Sequence, residues 1–283
     1  MQQLVELFGY QFFTHAFIGI LLTGIASGFI GTYIVARKMV FVTDGVTHAS
    51  FGGIGIAYYL GLPPFLGAVL FGVATALGIE WAHKKGNIRE DSAIAILWSM
   101  GMAVGVLFVY LTPGYTPNLM SFLFGNILNI TSTDLWAMAT VVTVTGTFFL
   151  VFFHPLLYSA FDPEFSKAAG LPVQAIRYVM MVLIALTVVF SIKIAGIILV
   201  LSIFTIPQAI AGIFVHRFGR IIPLSMLFAF LGGCGGLATS YFADIPSGAA
   251  IIIVLVSMWL LAKGADRVRR CIVSGTAVAR AGQ

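Results

Sequence analysis

Long apolar runs alternate with short polar segments along the whole chain. A membrane-spanning helix needs about 20 mostly apolar residues, and nine runs approach that length. The pattern predicts an all-α polytopic membrane protein with about nine (eight to nine) transmembrane helices. Pro155 and Pro207 fall inside two of the runs and should kink or interrupt them. The predicted spans are Phe12–Ala36, Asp44–Gly61, Phe65–Ala82, Ala93–Leu111, Asp134–Tyr158, Gln174–Phe190, Ile194–Val215, Ile221–Phe242 and Ala249–Ala262.

Basic residues occupy every second loop. They follow the first, third, fifth, seventh and ninth spans, whereas the other loops carry none except Lys193. Because Lys and Arg favour the cytoplasmic side, we expect the N-terminus outside and the C-terminus in the cytoplasm. The run Asn118–Ile130 is too short to span and must not cross if the alternation is to hold. We expect it to be a re-entrant or interfacial helix.

Composition indicates one membrane domain over residues 1–283. The chain is 60% hydrophobic and 9% charged, whereas soluble domains carry about 25% charged residues. The net charge of +5 comes from short basic clusters between apolar runs, which indicate topology and not a nucleic-acid partner. Cys234 and Cys271 lie far apart in the sequence, so no disulfide framework is expected.

Motifs for nucleotide binding and catalysis are absent from the sequence. There is no GxxxxGK[ST] phosphate loop, no HExxH and no nucleophile elbow. We therefore expect that the chain is not an enzyme and has no catalytic residues. If ATP drives it, another chain must bind the ATP.

Asp44 and His48 interrupt the second apolar run. Residues four apart share one helix face, and an ionisable residue inside a span indicates a functional site because it is costly in lipid. A carboxylate with an imidazole favours zinc, manganese or iron over calcium or magnesium, which makes this pair the candidate metal ligands. Two alternatives stay open. Asp44 could cap the helix through the N–H of Val46 or Thr47, and His48 could be a polar residue satisfied within the bundle.

Glycines, a polar insert and scattered polar residues have structural interpretations beside any functional one. Glycines beside the pair leave room for another helix or a substrate, and those of the first and eighth spans favour close helix packing over a flexible gate. The insert Asp162–Pro172 is either a small helix that docks a soluble partner or a plain solvated loop. Structural or interfacial roles are expected for the scattered His15, Glu80, His154, His216, Cys234 and Asp244.

Five motifs occur in one order along nearly the whole chain. They are Arg37-Lys38-Met39 leading to Asp44–Ala49; Glu90–Leu97; Ser121–Leu128; Phe161–Phe165 with Ala168–Leu171; and Asp244–Ala249. Together they resemble the membrane permease subunits of bacterial ABC-type importers for zinc, manganese and iron. The resemblance implies an ABC importer permease fold, similar to that of cobalamin and siderophore permeases, in the bacterial inner membrane.

The resemblance also implies partners and site residues. The implied assembly is a homodimer, or a pair with a related permease, with two copies of an ATPase subunit and an extracytoplasmic metal-binding protein. Asp44 and His48 match the family's Asp-x-x-x-His pattern and would contact the transported ion; no permanently bound cofactor is implied. A cytoplasmic coupling segment at about 160–173 would seat on the ATPase through Asp162, Glu164, Phe165, Ala168 and Gly170.

The sequence departs from the family pattern near the pair. Thr47 stands where a serine is common, Gly52-Gly53 lacks the usual proline, and no His-rich loop is present. These departures leave the metal open, and a siderophore-type substrate is compatible with the same class. The alternative function is a self-sufficient secondary metal transporter or channel. An intramembrane metalloenzyme is a third hypothesis, which the sparse ligand set disfavours.

Overall fold

A computed structural model describes residues 11–86, 88–113 and 130–281, with side chains up to residue 271. The described ranges contain helices and no strand. Except for Ile130, the segment predicted at 118–130 lies outside them. We number the helices in chain order: α1 Gln11–Ala36, α2 Val40–Tyr59, α3 Pro64–Lys85, α4 Glu90–Leu111, α5 Ser132–Val151, α6 Phe153–Phe161, α7 Pro163–Ala168, α8 Val173–Ala195, α9 Ile197–Ile203, α10 Ile206–Phe214, α11 Phe218–Ala243 and α12 Ser247–Ala281.

Eight segments of the described structure are long and apolar enough to cross a membrane. They are α1, α3, α4, α5, α8, α9 with α10, α11, and α12 as far as Cys271. With 20 residues, α2 is about 30 Å long, enough to span, but Asp44 and His48 lower its hydropathy. The prediction of an all-α membrane protein with eight to nine spans is confirmed.

Apart from the breaks inside two predicted spans, three helix ends differ from the sequence prediction by more than three residues. The helix α8 continues to Ala195 and not to Phe190, so that Lys193 lies in a helix and not in a loop. The helix α2 begins at Val40 and not at Asp44, because Lys38, with φ at 59°, lets the chain turn within three residues after α1. The last helix does not end at Ala262 but continues through the basic tail to Ala281. All three changes extend a helix into a segment that the polar pattern assigned to a loop.

Helix breaks fall where the sequence carries proline or glycine. The predicted fifth span is two helices that meet at Phe152, so that Pro155 lies in the first turn of α6, where it needs no N–H donor. Likewise, Pro207 lies in the first turn of α10 after a break at Thr205. Gly196, with φ at 80°, separates α8 from α9, a conformation that side chains rarely adopt.

The helix α8 lies at the centre of the bundle and packs against α1, α2, α3 and α5. Its buried side chains include Met180, Met181 and Ile184. On one side of the bundle α2 packs against both α3 and α4, and on the other α11 lies between α1 and α12. The faces of α4 and α12 are mostly uncovered within the chain, since only 17% of each spanning window is buried.

Glycine contacts hold α2 against both of its neighbours. A Cβ at Gly53 would lie 2.0 Å from the carbonyl oxygen of Gly67 on α3, and a Cβ at Gly101 on α4 would lie 2.6 Å from Cα of Ala49. A Cβ at Gly45 would meet Ile94 at 2.6 Å. Since lipid tails are as apolar as the side chains, membrane helices associate through such close packing. The space that the glycines leave beside the Asp44–His48 pair is thus filled by α3 and α4.

A second glycine contact joins α1 to α11. A Cβ at Gly28 would lie 2.2 Å from Met226, and a Cβ at Gly233 would lie 2.4 Å from Ile20. The prediction that the glycines of the first and eighth spans serve close packing is therefore confirmed by these contacts.

The substitution Gly53→Ala should destabilise the protein by about 1–3 kcal/mol, because the new methyl group meets backbone and not a flexible side chain. Gly264→Ala is the control, since nothing lies within 4 Å of a Cβ at Gly264. Thermal unfolding of the purified variants in detergent measures both effects. A melting temperature of Gly53→Ala equal to that of the wild type would contradict the backbone contact with α3.

Candidate metal centre

Asp44 and His48 lie one turn apart inside α2. The helix begins at Val40 after Met39, which makes no side-chain capping bond. Asp44 therefore lies in the second turn, and the alternative in which it caps the helix is wrong. Oδ1 of Asp44 is 3.5 Å from Nε2 of His48, so the spacing brings the two donor atoms together as predicted.

The distance between these two atoms suits a shared ion. At 3.5 Å it exceeds the roughly 2.7–3.2 Å of a well-formed N–H···O hydrogen bond. Two donors that each lie about 2.1 Å from one metal are about 3.0 Å apart at a right angle and about 3.4 Å apart at a tetrahedral angle. The separation of the two donor atoms is therefore compatible with one transition-metal ion between them.

The pair lies on the open edge of α2. From Val40 to Ser50 every residue is buried except Val40, Phe41, Asp44 and His48. The side chain of Asp44 is 18% exposed and that of His48 is 22% exposed. A carboxylate that faced lipid tails would cost about 2.5–3.5 kcal/mol. This edge is therefore better suited to a polar pathway or a protein surface than to lipid.

Trp98 on α4 stacks on His48, a contact that sequence reasoning missed. The ring centroids are 4.6 Å apart and the ring planes differ by 11°. In the sequence the only signal is an aromatic residue one turn before Gly101, where α4 touches α2. The contact itself depends on the register between two helices, which a single segment does not reveal.

The described residues bring no third His, Cys, Asp or Glu side chain to the pair. His15 contacts a backbone carbonyl at 2.8 Å, Glu80 pairs with Arg177, and Cys234 is a free thiol. Among the residues whose side chains the structure does not describe, Glu6 is the only His, Cys, Asp or Glu. Two protein donors do not complete a transition-metal site, so a full coordination sphere needs donors from elsewhere.

An ion pair lies at the predicted outer end of the bundle. Nζ of Lys193 donates to Oδ1 of Asp134 and lies 4.8 Å from the centroid of the Phe65 ring. Asp134 also forms a capping box with Thr131 at the start of α5. Lys193 is the one exception to the predicted alternation of basic loops, and a carboxylate neutralises it.

The polar insert at 162–172 contains a short helix, α7, and is not a plain loop. Asp162 caps this helix by accepting from the backbone N–H of Phe165 at 2.9 Å, and Pro163 occupies its first turn. After the helix the chain turns at Gly170, which has φ at 78°. The exposed residues of the insert include Asp162, Glu164, Phe165, Lys167, Ala168 and Gly170.

Charged side chains join the helices next to this insert. Nη1 of Arg37, at the end of α1, donates to the carbonyl of Ser159 on α6 at 3.4 Å. Nη1 of Arg177 on α8 lies 3.5 Å from Oε1 of Glu80 on α3, whose side chain is only 5% exposed. The sequence singled out Glu80 but not Arg177. Within the insert, the helix α7 packs against α6 and α8.

This bundle of eight apolar spans in the described residues is that of a multi-pass membrane protein. The model of the ABC 3 transport family matches residues 9–264. The chain belongs to this family, and it is an ABC importer permease for metal transport. The resemblance found from the five sequence motifs is thereby confirmed.

Relatives and solved structures agree in length and fold. The chain is 35% identical over 257 residues to the manganese transport system membrane protein MntC of Halalkalibacterium halodurans, covering 91% of this chain and 88% of that protein. PsaBC from Streptococcus pneumoniae, solved in complex with Fab, matches with a TM-score of 0.81 and 29% identity, covering 92% of this chain and 94% of that chain. An inward-facing metal-chelate type ABC transporter matches with a TM-score of 0.71 and 18% identity, covering 89% and 86%, which shows the fold alone.

Proposed function

We propose that this permease moves a divalent transition-metal ion (zinc, manganese or iron) across the membrane by way of Asp44 and His48. The observation that carries the proposal is the 3.5 Å separation of Oδ1 and Nε2 on the open edge of α2. The donor types suit transition metals. Membership of an ABC family disfavours the alternative of a self-sufficient secondary transporter or channel.

Manganese is the metal that the comparisons favour, because the Halalkalibacterium relative is a manganese transport system protein. One carboxylate and one imidazole accommodate manganese, iron or zinc, so the donors alone do not choose among them. The ion is cargo, and it must bind loosely enough to be released again. A site with only two donors per chain meets that requirement.

A second copy of the chain, or a related permease, would complete the site. With the open edge of α2 facing a two-fold axis, two Asp44–His48 pairs would supply four donors, the number in a tetrahedral site. The same arrangement would remove both polar side chains from lipid. The weakly covered faces of α4 and α12 offer apolar surface for such a dimer.

Two further partners follow from the ABC importer class. An ATPase subunit, in two copies, would dock on α7 and supply the energy through ATP hydrolysis, which switches the permease between outward and inward states. An extracytoplasmic metal-binding protein would deliver the ion at the opposite end. The exposed ring of Phe165 and the packing of α7 against α6 and the membrane helix α8 support α7 as the coupling element.

The proposed location is the bacterial inner membrane, with the N-terminus outside and the C-terminus in the cytoplasm. The alternation of basic loops supports this orientation, and the pairing of Lys193 with Asp134 accounts for its one exception.

The variants Asp44→Ala and His48→Ala should each lower metal uptake about 10- to 100-fold, an effect at least as large as loss of an outer-shell partner of a metal ligand. Uptake of radioactive manganese is measured in cells that express the complete importer and lack other manganese importers. His83→Ala and Asp91→Ala are the matched controls, since both side chains are exposed where α3 ends and α4 begins. Wild-type uptake by both pair variants at equal protein levels would remove the pair from the mechanism.

Replacing Phe165 by Ala should weaken association with the ATPase subunit and lower metal-dependent ATP hydrolysis, because the ring is 59% exposed on α7 and would be buried in the partner. Leu62→Ala, an exposed apolar residue in the turn between α2 and α3, is the control. Co-purification of the tagged permease with the ATPase measures association. Unchanged co-purification of Phe165→Ala together with Glu164→Ala would argue against docking at α7.

The orientation predicts that a tag at residue 1 is accessible from outside intact cells and that a tag at residue 283 is not. Labelling with a membrane-impermeant reagent, before and after permeabilisation, measures both positions. Accessibility of both tags from the same side would overturn this topology.

A further inference from the structure

We infer that Trp98 is a positioning residue for His48, which holds the imidazole in the orientation that receives the metal. The inference rests on the proposed function of the Asp44–His48 pair. Trp98 is named by none of the sequence motifs, and its role follows from the near-parallel stack of the two rings, with centroids 4.6 Å apart and planes 11° apart.

The stack restricts the rotation that matters for binding. A histidine ring turns about two side-chain bonds, and its terminal torsion is broad in the absence of contacts. Contact with Asp44 restrains only the Nε2 edge of the ring, at 3.5 Å. The indole of Trp98 restrains the ring plane, and the two contacts together keep Nε2 directed towards the carboxylate. An ion then meets donors that are already oriented, which lowers the entropic cost of binding.

The backbone contact between α2 and α4 fixes Trp98 in this place. Gly101, one turn after Trp98, lies against Ala49, and Ile94, one turn before it, lies against Gly45. These contacts bracket the His48–Trp98 stack on both sides. The register of the two helices therefore keeps Trp98 next to His48 through packing that does not involve the metal.

A role limited to space filling makes a different prediction. In that case Trp98→Leu would lower stability or protein level but would leave the ligand set of a bound ion unchanged. A positioning role predicts instead that histidine ligation is lost or weakened while Asp44 still contacts the ion. Trp98→Phe retains an aromatic ring and should preserve most of the effect, so it serves as the conservative variant.

The test uses the full-length permease purified with its ATPase subunit in lipid nanodiscs, without nucleotide and without the metal-binding protein. Mn²⁺ is the probe. Electron paramagnetic resonance of free Mn²⁺ gives the dissociation constant, and electron spin-echo modulation detects the imidazole nitrogen bound to Mn²⁺. Because aromatic stacking contributes modestly, Trp98→Leu should raise the dissociation constant about 2- to 13-fold and lose the nitrogen signal, whereas Trp98→Phe should retain it.

The control is Trp136→Leu, which removes a tryptophan that is 76% exposed on α5 and should change neither measurement. A nitrogen signal and affinity in Trp98→Leu equal to those of the wild type would overturn the positioning role and leave the metal pair intact. A wild-type protein without the nitrogen signal, together with unchanged affinity in His48→Ala, would overturn the proposed function itself. The two failures are therefore distinguishable.

Discussion

The backbone contact of α2 with α3 and α4 is the constraint on which the rest of the structure depends. Lipid gives helices no hydrophobic reason to associate, so van der Waals packing must hold them. The glycines at Gly53, Gly67 and Gly101 allow that packing because nothing larger fits. With two sides of α2 covered in this way, the edge that carries Asp44 and His48 is the one left open. Helix packing thus determines the direction in which the donors point.

Features that depend on local sequence could be predicted. Apolar run length indicated the number of spans, and proline located the breaks near Phe152 and Thr205 because it is best tolerated in the first turn of a helix. Proline does not always mark a break, since Pro223 lies inside α11. The spacing of Asp44 and His48 predicted that their side chains meet, since the helix repeat places residues four apart on one face. The polarity of the insert at 162–172 allowed a docking helix, and α7 is present there.

Features that depend on contacts between distant segments could not be predicted. The stack of Trp98 on His48 and the pairs Glu80–Arg177 and Lys193–Asp134 each join two different helices, and their register follows from packing. The helix start at Val40 depends on the left-handed turn at residue 38, which the sequence pattern does not specify for a lysine. For that reason the sequence alone does not decide whether Asp44 caps the helix, whereas the start of α2 at Val40 places it in the second turn.

The Lys193–Asp134 pair also affects the electric field at the predicted outer end of the bundle. An uncompensated lysine at that end would repel an approaching dication, whereas a salt-linked one presents a dipole whose field falls off steeply with distance. The capping box at Thr131 holds the carboxylate in place, and the ring of Phe65 covers the ammonium group. This end of the bundle thus carries no uncompensated positive charge from Lys193.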